Sequence, residues 1–159
     1  MTSYTKTASN AFLVDTNVLV YVYDPRDGVK QERALLVVDR LIASRRAVVS
    51  VQCLSEFFRV VTQRLPERMT GQEALTRVRR LARVCHVLDL TAAIVVEGCH
   101  GASEHGLAIW DALIWAVAKL NQVPCVLTED AEHGRVVEGV RFLNPFAAAF
   151  DRGLLVAEI

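Results

Sequence analysis

The chain has 159 residues, a length that suits one domain with a sizeable hydrophobic core. Hydrophobic residues make up 52% of it, with only 8 glycines and 4 prolines, which excludes disordered and low-complexity proteins. Its 18 basic residues balance 18 acidic ones, so net charge does not mark a nucleic-acid binder, although a local patch could act as one. Four scattered cysteines without a C-x-x-C pair and apolar runs too short for a bilayer predict a soluble, cytoplasmic protein.

Apolar runs and amphipathic segments alternate in the first half of the domain, which is taken as residues 11–150 between a polar leader (1–10) and a tail (151–159). A short apolar run predicts a strand over 11–14, and a helix over 17–23 is stopped by Asp24-Pro25. Helical spacing follows over 30–43, then a second strand over 47–50. The next helix, over 51–64, ends before Pro66.

The second half continues the alternation. Thr70 and Glu73 match a capping box, and the helix that they open precedes a third strand over 84–88. Thr91 caps a helix that ends near Gly106, and a strongly apolar helix covers 108–120. Strands are then predicted at 125–127 and 140–143. The pattern indicates an α/β fold with a central, mainly parallel sheet of four to five strands flanked by helices on both faces.

Four acidic residues stand beside apolar sequence that the pattern predicts to be buried: Asp15, Glu56, Asp111 and Asp130. An unpaired carboxylate is costly there, although each of the four alone is typical of a helix cap or a solvated side chain. Asp15 and Asp130 follow predicted strands, and Glu56 lies near the start of a helix that follows another. These three are expected at the carboxyl edge of the sheet, where such folds bind ligands. Asp111 follows a helix, and the pattern alone does not place it.

Together the four carboxylates favour a site for a hard divalent cation, which would offset their mutual repulsion. Their separations of 41, 55 and 19 residues exclude a local calcium-binding loop. Oxygen ligands without histidine or cysteine favour Mg²⁺ or Mn²⁺ over zinc. Such an ion can activate a bound water as a nucleophile while it polarises a phosphoryl oxygen.

The segments around the acids also carry a family resemblance. They read V-D-T-N-V-L, S-V-Q-C-L-S-E-F, W-D-A-L-I-W-A-V-A and L-T-E-D-A-E-H-G-R, with G-V-R-F-L-N-P-F behind them. In this order they resemble the motif blocks of PIN-domain ribonucleases, in particular the VapC toxins of type II toxin–antitoxin pairs. The resemblance covers roughly residues 11–147.

The resemblance implies a PIN-like nuclease domain that hydrolyses RNA with Mg²⁺ or Mn²⁺ and leaves a 3′-hydroxyl and a 5′-phosphate. It also implies a toxin that is neutralised by a small antitoxin and forms a homodimer. The catalytic, metal-binding acids of the family fall on Asp15, Glu56, Asp111 and Asp130. Its small polar helpers fall on Thr16, Asn17 and Thr128. Glu129 stands beside Asp130, so the fourth acidic position is either Asp130 alone or shared with Glu129.

Several other residues have two interpretations. The arginines after the second acid are either a solvated helix face or a positive flank that binds RNA phosphates, and the candidates are Arg59, Arg64, Arg79 and Arg80. The histidines His100, His105 and His133, with Cys99, fit no usual zinc spacing. Trp110 and Trp115 are predicted to be core residues of the apolar helix rather than platforms for base stacking.

Two alternatives to a toxin stay open. A PIN-like nuclease could process RNA without any antitoxin, and the sequence itself does not separate these roles. A non-catalytic binding module is the other alternative, but it predicts a broken acidic set, whereas all four positions hold Asp or Glu. A phosphotransfer receiver domain would need adjacent acids after the first strand, where this chain has V-D-T-N.

Overall fold

A computed structural model describes residues 10–156. The predicted leader over 1–10, apart from Asn10, and the last three residues of the predicted tail lie outside the described residues. Within them, no helix is long and apolar enough to cross a membrane.

One six-stranded sheet forms the centre of the structure. Its strands are β1 (Phe12–Val14), β2 (Ala47–Ser50), β3 (His86–Leu88), β4 (Cys125–Leu127), β5 (Val136–Val137) and β6 (Val140–Leu143). They are arranged in the order β3-β2-β1-β4-β6-β5, and every neighbouring pair is parallel except β5 with β6. The predicted mainly parallel sheet is confirmed, but the predicted count of four to five strands is too small by one. The strand that was missed, β5, has only two residues, too few for a periodic signal.

Over residues 10–156, six α-helices connect and cover the strands: α1 (Thr16–Tyr21), α2 (Gly28–Ala43), α3 (Val51–Gln63), α4 (Gly71–Val84), α5 (Ala92–His105) and α6 (Ile109–Leu120). The capping box predicted at Thr70 and Glu73 is present at the start of α4. Because crossovers between parallel strands are right-handed, the helices that precede β3 cover one face and α5 with α6 cover the other. The chain changes direction across the sheet between these two groups, so β1 and β4 lie side by side at the point of reversal.

The core lies on both sides of the sheet and extends past the predicted end of the domain. Trp115 of α6 and Phe57 of α3 are fully buried, and Phe142 of β6 is nearly so. Leu155 is only 2% exposed, within a 3₁₀ helix over Arg152–Leu155 that contacts α2. Residues 152–155, assigned to the tail by the sequence, therefore pack against the domain.

Helices α5 and α6 approach closely because two glycines of α5 face α6. A Cβ added at Gly98 would lie 2.7 Å from Cδ2 of Leu113, and one at Gly101 would lie 2.5 Å from Cζ3 of Trp115. The sequence suggests that these glycines weaken the helix, but α5 runs through both of them to His105. Their missing side chains make room for α6, whose first turn carries Asp111.

Replacing Gly101 by alanine is expected to lower the free energy of unfolding by about 1–3 kcal/mol, because the added methyl group would overlap a fully buried ring. Urea unfolding followed by circular dichroism measures this change. Gly71→Ala is the matched control, since an added Cβ at this exposed helix start meets no atom within 4 Å. An unchanged unfolding midpoint for Gly101→Ala would contradict the close packing of α5 on α6.

Candidate metal centre

Asp15 occupies the point where the sheet reverses its strand order. It directly follows β1, and its backbone N–H donates to the carbonyl of Leu127 at the end of the neighbouring strand β4. Its side chain caps α1 by accepting a hydrogen bond from the Thr16 N–H at 2.6 Å. The carboxylate is only 5% exposed. This reversal point at the carboxyl ends of the strands is where open α/β sheets bind ligands.

Three of the predicted acids converge at this point. Oxygen atoms of Asp15, Asp111 and Asp130 all lie within 4.8 Å of one another. Asp130 comes from the loop after β4, and Asp111 comes from the first turn of α6. Asp111 was the acid that the sequence pattern did not place, and the close packing of α6 on α5 and β4 brings it to the cluster.

Glu56 lies on the wall of the same cleft and outside this group of three. It belongs to the second turn of α3, and its Oε2 accepts a hydrogen bond from the Thr16 hydroxyl at 3.1 Å. Its negative charge contributes to a raised pKa at Asp111. Glu56 is therefore close enough to act on the cluster electrostatically while it remains tied to the start of α1.

Thr128 and Asn17 form a polar frame that holds the acids apart and in place. The Thr128 hydroxyl donates to Oδ2 of Asp15 at 2.8 Å and accepts from the Asp130 N–H at 3.1 Å. The Asn17 side-chain amide donates to Oδ2 of Asp130 at 3.0 Å and lies 3.3 Å from Oδ2 of Asp15. Both frame residues contact two of the three acids, so they determine the spacing of the carboxylates.

The side chain of Glu129 contacts different residues from those that its neighbour Asp130 contacts. Its Oε1 accepts from the Tyr21 hydroxyl at 2.6 Å, and its Oε2 pairs with the Lys30 ammonium at 2.8 Å. This pair raises the pKa of Lys30, because the carboxylate stabilises the charged ammonium. The Glu129 carboxylate is therefore neutralised by a cation, whereas Asp130 belongs to the acidic group.

Burial and mutual repulsion raise the pKa of two of the acids, Asp15 and Asp111. Burial raises the pKa of Asp15 from 3.8 to about 7, with smaller contributions from the charges of Asp111 and Asp130 and opposing hydrogen bonds from Thr128 and Thr16. Burial, Asp130 and Glu56 raise the pKa of Asp111. A cluster of acids that resists ionisation gains most from a bound cation, since the cation stabilises every charged carboxylate.

The donor set fits a hard divalent cation. All the converging side-chain donors are carboxylate oxygens, with a threonine hydroxyl and an asparagine amide beside them and no histidine or thiol in the group. Such ligands suit Mg²⁺ or Mn²⁺. Asp15, Asp111 and Asp130 would hold the ion directly, and Glu56 stands next to them.

The pKa of Asp15 predicts how stability depends on pH. Folded Asp15 keeps a proton that the unfolded chain releases, so the metal-free protein loses up to about 4 kcal/mol of stability as pH rises from about 4 to about 7. Asp15→Asn removes this loss. Thermal unfolding in a chelator at pH 5 and pH 8 should show a larger fall in Tm for the wild type than for the variant. Equal falls would contradict the buried, proton-binding state of Asp15.

The surrounding cleft exposes an aromatic ring and two arginines. Arg26 and Arg59 line it, whereas Arg64, which directly follows α3, and Arg79 and Arg80 of α4 lie exposed outside it. The structure thus brings only one of the four predicted arginines to the acids. Arg26 was missed, because its position beside Asp24 in a turn offers no periodic signal.

The prediction that both tryptophans are core residues is wrong for one of them. Trp115 is completely buried, but Trp110 is 63% exposed and lines the cleft next to Asp111. Both stand in the same apolar helix, so hydropathy could not separate them. Trp110 belongs to the first turn of α6, beside the acids of the cleft.

Comparison with known proteins identifies the family to which this fold belongs. The family model of the PIN domain matches residues 12–139. No curated protein sequence is significantly similar to the chain. Solved structures are similar in fold. A toxin–antitoxin complex from Klebsiella pneumoniae contains a chain with a TM-score of 0.63 and 17% identity, covering 86% of this chain and 98% of that one.

Two further structures show the same likeness. The VapC20 toxin of Mycobacterium tuberculosis, described as cleaving the sarcin–ricin loop, has a TM-score of 0.56 at 20% identity over 73% of this chain and 87% of its own. FitAcB from Neisseria gonorrhoeae has a TM-score of 0.58 at 24% identity over 84% of this chain and 97% of its own. At such identities the likeness establishes a common fold. With a family match that extends over most of its length, this chain belongs to the PIN-domain family.

Proposed function

We propose that this PIN domain is a metal-dependent endoribonuclease that acts as the toxin of a toxin–antitoxin pair. One observation carries the proposal: three carboxylates from separate elements lie within 4.8 Å of one another at the reversal point of the sheet. The cluster does not stabilise the fold, because burial and the neighbouring acids disfavour the ionised form of Asp15 and raise its pKa to about 7. Retaining such a cluster makes sense when a cation offsets the repulsion.

The proposed roles follow the contacts of each side chain. Asp15, Asp111 and Asp130 bind the cation, and a bound Mg²⁺ or Mn²⁺ supplies Lewis-acid activation of water and phosphate. Glu56 extends the negative wall of the cleft from the start of α1. Asn17 and Thr128 hold Asp15 and Asp130 at fixed separation and would thereby orient a water or a phosphate at the cluster. A water would attack the phosphorus in line and the bond to the 3′ oxygen would break, which leaves the 3′-hydroxyl and the 5′-phosphate that the resemblance to VapC toxins implies.

Two features support RNA as the substrate and an antitoxin as the partner. Arg59 places positive charge on the wall of an acidic cleft, where a polyanion would otherwise be repelled, whereas Arg26 on the same wall is paired with Asp24. VapC20, which shares the fold, is described as a toxin that cleaves the sarcin–ricin loop, and another similar chain comes from a toxin–antitoxin complex. A small antitoxin would neutralise this chain, which we place in the cytoplasm as a homodimer.

Expression with and without its genomic neighbour tests the proposal. We expect the chain alone to stop growth and to degrade cellular RNA, and a small neighbouring protein to relieve both effects and to copurify with it. RNA cleavage by the purified chain should require Mg²⁺ or Mn²⁺ and stop with a chelator. Metal-dependent cleavage without toxicity or a copurifying partner would instead identify an RNA-processing nuclease. If the purified chain cleaves no RNA, the remaining alternative is a non-catalytic binding module.

Arg59 and Arg80 separate the two interpretations of the arginines. We expect Arg59→Gln to weaken RNA binding by about tenfold at low salt and to lower the slope of log affinity against log salt by about one, because it removes one phosphate contact in the cleft. Arg80→Gln removes the same charge from the exposed face of α4 and should change binding little. Fluorescence anisotropy with a labelled RNA in the metal-free protein measures both. Equal losses would place RNA on α4 as well.

A further inference from the structure

A second cluster of possible metal ligands lies away from the cleft. His100 and His105 of α5 meet Glu138, which stands in the turn between β5 and β6. Nε2 of His105 lies 2.7 Å and Nε2 of His100 lies 3.6 Å from Oε1 of Glu138. All three donor atoms lie within 4.8 Å of one another. The sequence spacing of the histidines gave no zinc signal, because the third donor comes from a hairpin 33 residues beyond His105.

Glu138 has a backbone conformation that is unfavourable for a residue with a side chain, which indicates that its carboxylate makes compensating contacts. Glu138 has a φ of +45° and the following Gly139 has a φ of +85°. This two-residue turn favours Asn-Gly or Gly-Gly, because residues with a Cβ rarely adopt a positive φ. A glutamate there strains the backbone. The contacts of its carboxylate are the evident compensation.

Neighbouring side chains orient the Glu138 carboxylate toward the two histidines and keep it ionised. Lys119 of α6 bonds Oε2 of Glu138 and also pairs with Glu97, so the opposite oxygen, Oε1, remains directed at the two histidines. Lys119 and His105 lower the pKa of Glu138 to about 2, which keeps it ionised at any physiological pH. The His105 ring is further oriented by an edge contact with Trp115. Glu138 and His105 thus each have a neighbour that fixes their position, as ligands of metal sites commonly do.

Ligand type and place in the fold separate this cluster from the acidic cleft. Two imidazoles and one carboxylate are a known set of three protein ligands for zinc, with a water in the fourth position. The side chains are 28–47% exposed, which leaves room for that water. Glu138 precedes β6, which runs parallel to β4, so the cluster lies at the opposite sheet edge from the acids that follow β1 and β4.

We propose that His100, His105 and Glu138 form a zinc-binding site that joins the end of α5 to the β5–β6 hairpin. Zinc can enter after small shifts, since Zn–N and Zn–O bonds of about 2.0–2.2 Å place tetrahedral ligands roughly 3.3 Å apart. Oε1 of Glu138 now lies 2.7 Å from Nε2 of His105 and 3.6 Å from Nε2 of His100. Zinc binding there links the last antiparallel strand pair of the sheet to the helix that supports α6. It does so independently of nuclease activity.

Cobalt, as a spectroscopic substitute for zinc, tests the site in the full-length chain. We expect one equivalent of Co²⁺ to give visible absorption of a nitrogen- and oxygen-ligated, four-coordinate ion, and Zn²⁺ to displace it and raise Tm. His100→Ala and Glu138→Gln should each weaken binding by at least about tenfold. His100 is 47% exposed and makes only the 3.6 Å contact with Glu138 among the ion pairs, so its replacement preserves the fold.

Two controls identify the ligands. Asp111→Asn alters the acidic cleft and should leave the Co²⁺ spectrum unchanged, and so should Cys99→Ser, which removes the exposed thiol beside His100. Loss of the spectrum in Asp111→Asn would assign the metal to the cleft. A sulfur-to-cobalt charge-transfer band would assign it to cysteine. Either result, or unchanged binding in both His100→Ala and Glu138→Gln, would overturn the site.

Discussion

Asp111→Asn is expected to lower the rate of metal-dependent RNA cleavage by about a thousandfold while the fold is retained. Asp111 is one of three acids that share the proposed cation, and the substitution removes a full negative charge from that group. Loss of about 4 kcal/mol of transition-state stabilisation corresponds to this factor. Because burial and neighbouring acids already raise the pKa of Asp111, the variant should be at least as stable as the wild type without metal.

The measurement is single-turnover cleavage of a labelled RNA at saturating Mg²⁺, with Tm as a check on folding. Asp39→Asn is the matched control, because it makes the same chemical change on the exposed surface of α2. It should keep wild-type activity. A cleavage rate for Asp111→Asn within about tenfold of wild type would remove Asp111 from the proposed metal ligands.

Asp130→Asn is expected to impair metal-dependent cleavage, whereas Glu129→Gln is expected to lower stability without changing the Mg²⁺ requirement. Asp130 lies with Asp15 and Asp111, so its replacement should slow cleavage by about a hundredfold and raise the Mg²⁺ concentration needed for half activity. Glu129 pairs with Lys30 and accepts from Tyr21. Its replacement should leave the Mg²⁺ requirement unchanged and lower stability by about 1 kcal/mol, because it weakens a partly exposed ion pair.

Mg²⁺ titrations of cleavage and urea unfolding, carried out on both variants, separate these outcomes. The pair provides its own control, since adjacent residues undergo the same change from acid to amide. A raised Mg²⁺ requirement in Glu129→Gln, equal to that in Asp130→Asn, would mean that the fourth acidic position is shared. That result would contradict the separate contacts seen for the two side chains.

Strong local signals accounted for most of the predicted elements. The capping box at Thr70, the Thr91 cap and the apolar run over 125–127 all mark elements that the structure contains. Local signals failed where an element was too short or where exposure depended on neighbours. The two-residue strand β5 has no period to detect, and Trp110 and Trp115 share one apolar helix although only one is buried.

The chain by itself determined the class of fold and the residue types of the site, because hydrophobic periodicity and carboxylate chemistry are local properties. It placed Asp15 and Asp130 after strands, and in the structure they meet where β1 and β4 are neighbours. Only the tertiary structure decided the position of Asp111, since that depends on how closely α6 approaches α5 at Gly98 and Gly101. The separate roles of Glu129 and Asp130, and the meeting of two histidines with Glu138, were likewise decided by contacts between residues distant in sequence. Such contacts leave no periodic trace in the chain, because they arise only when the sheet and its helices have packed.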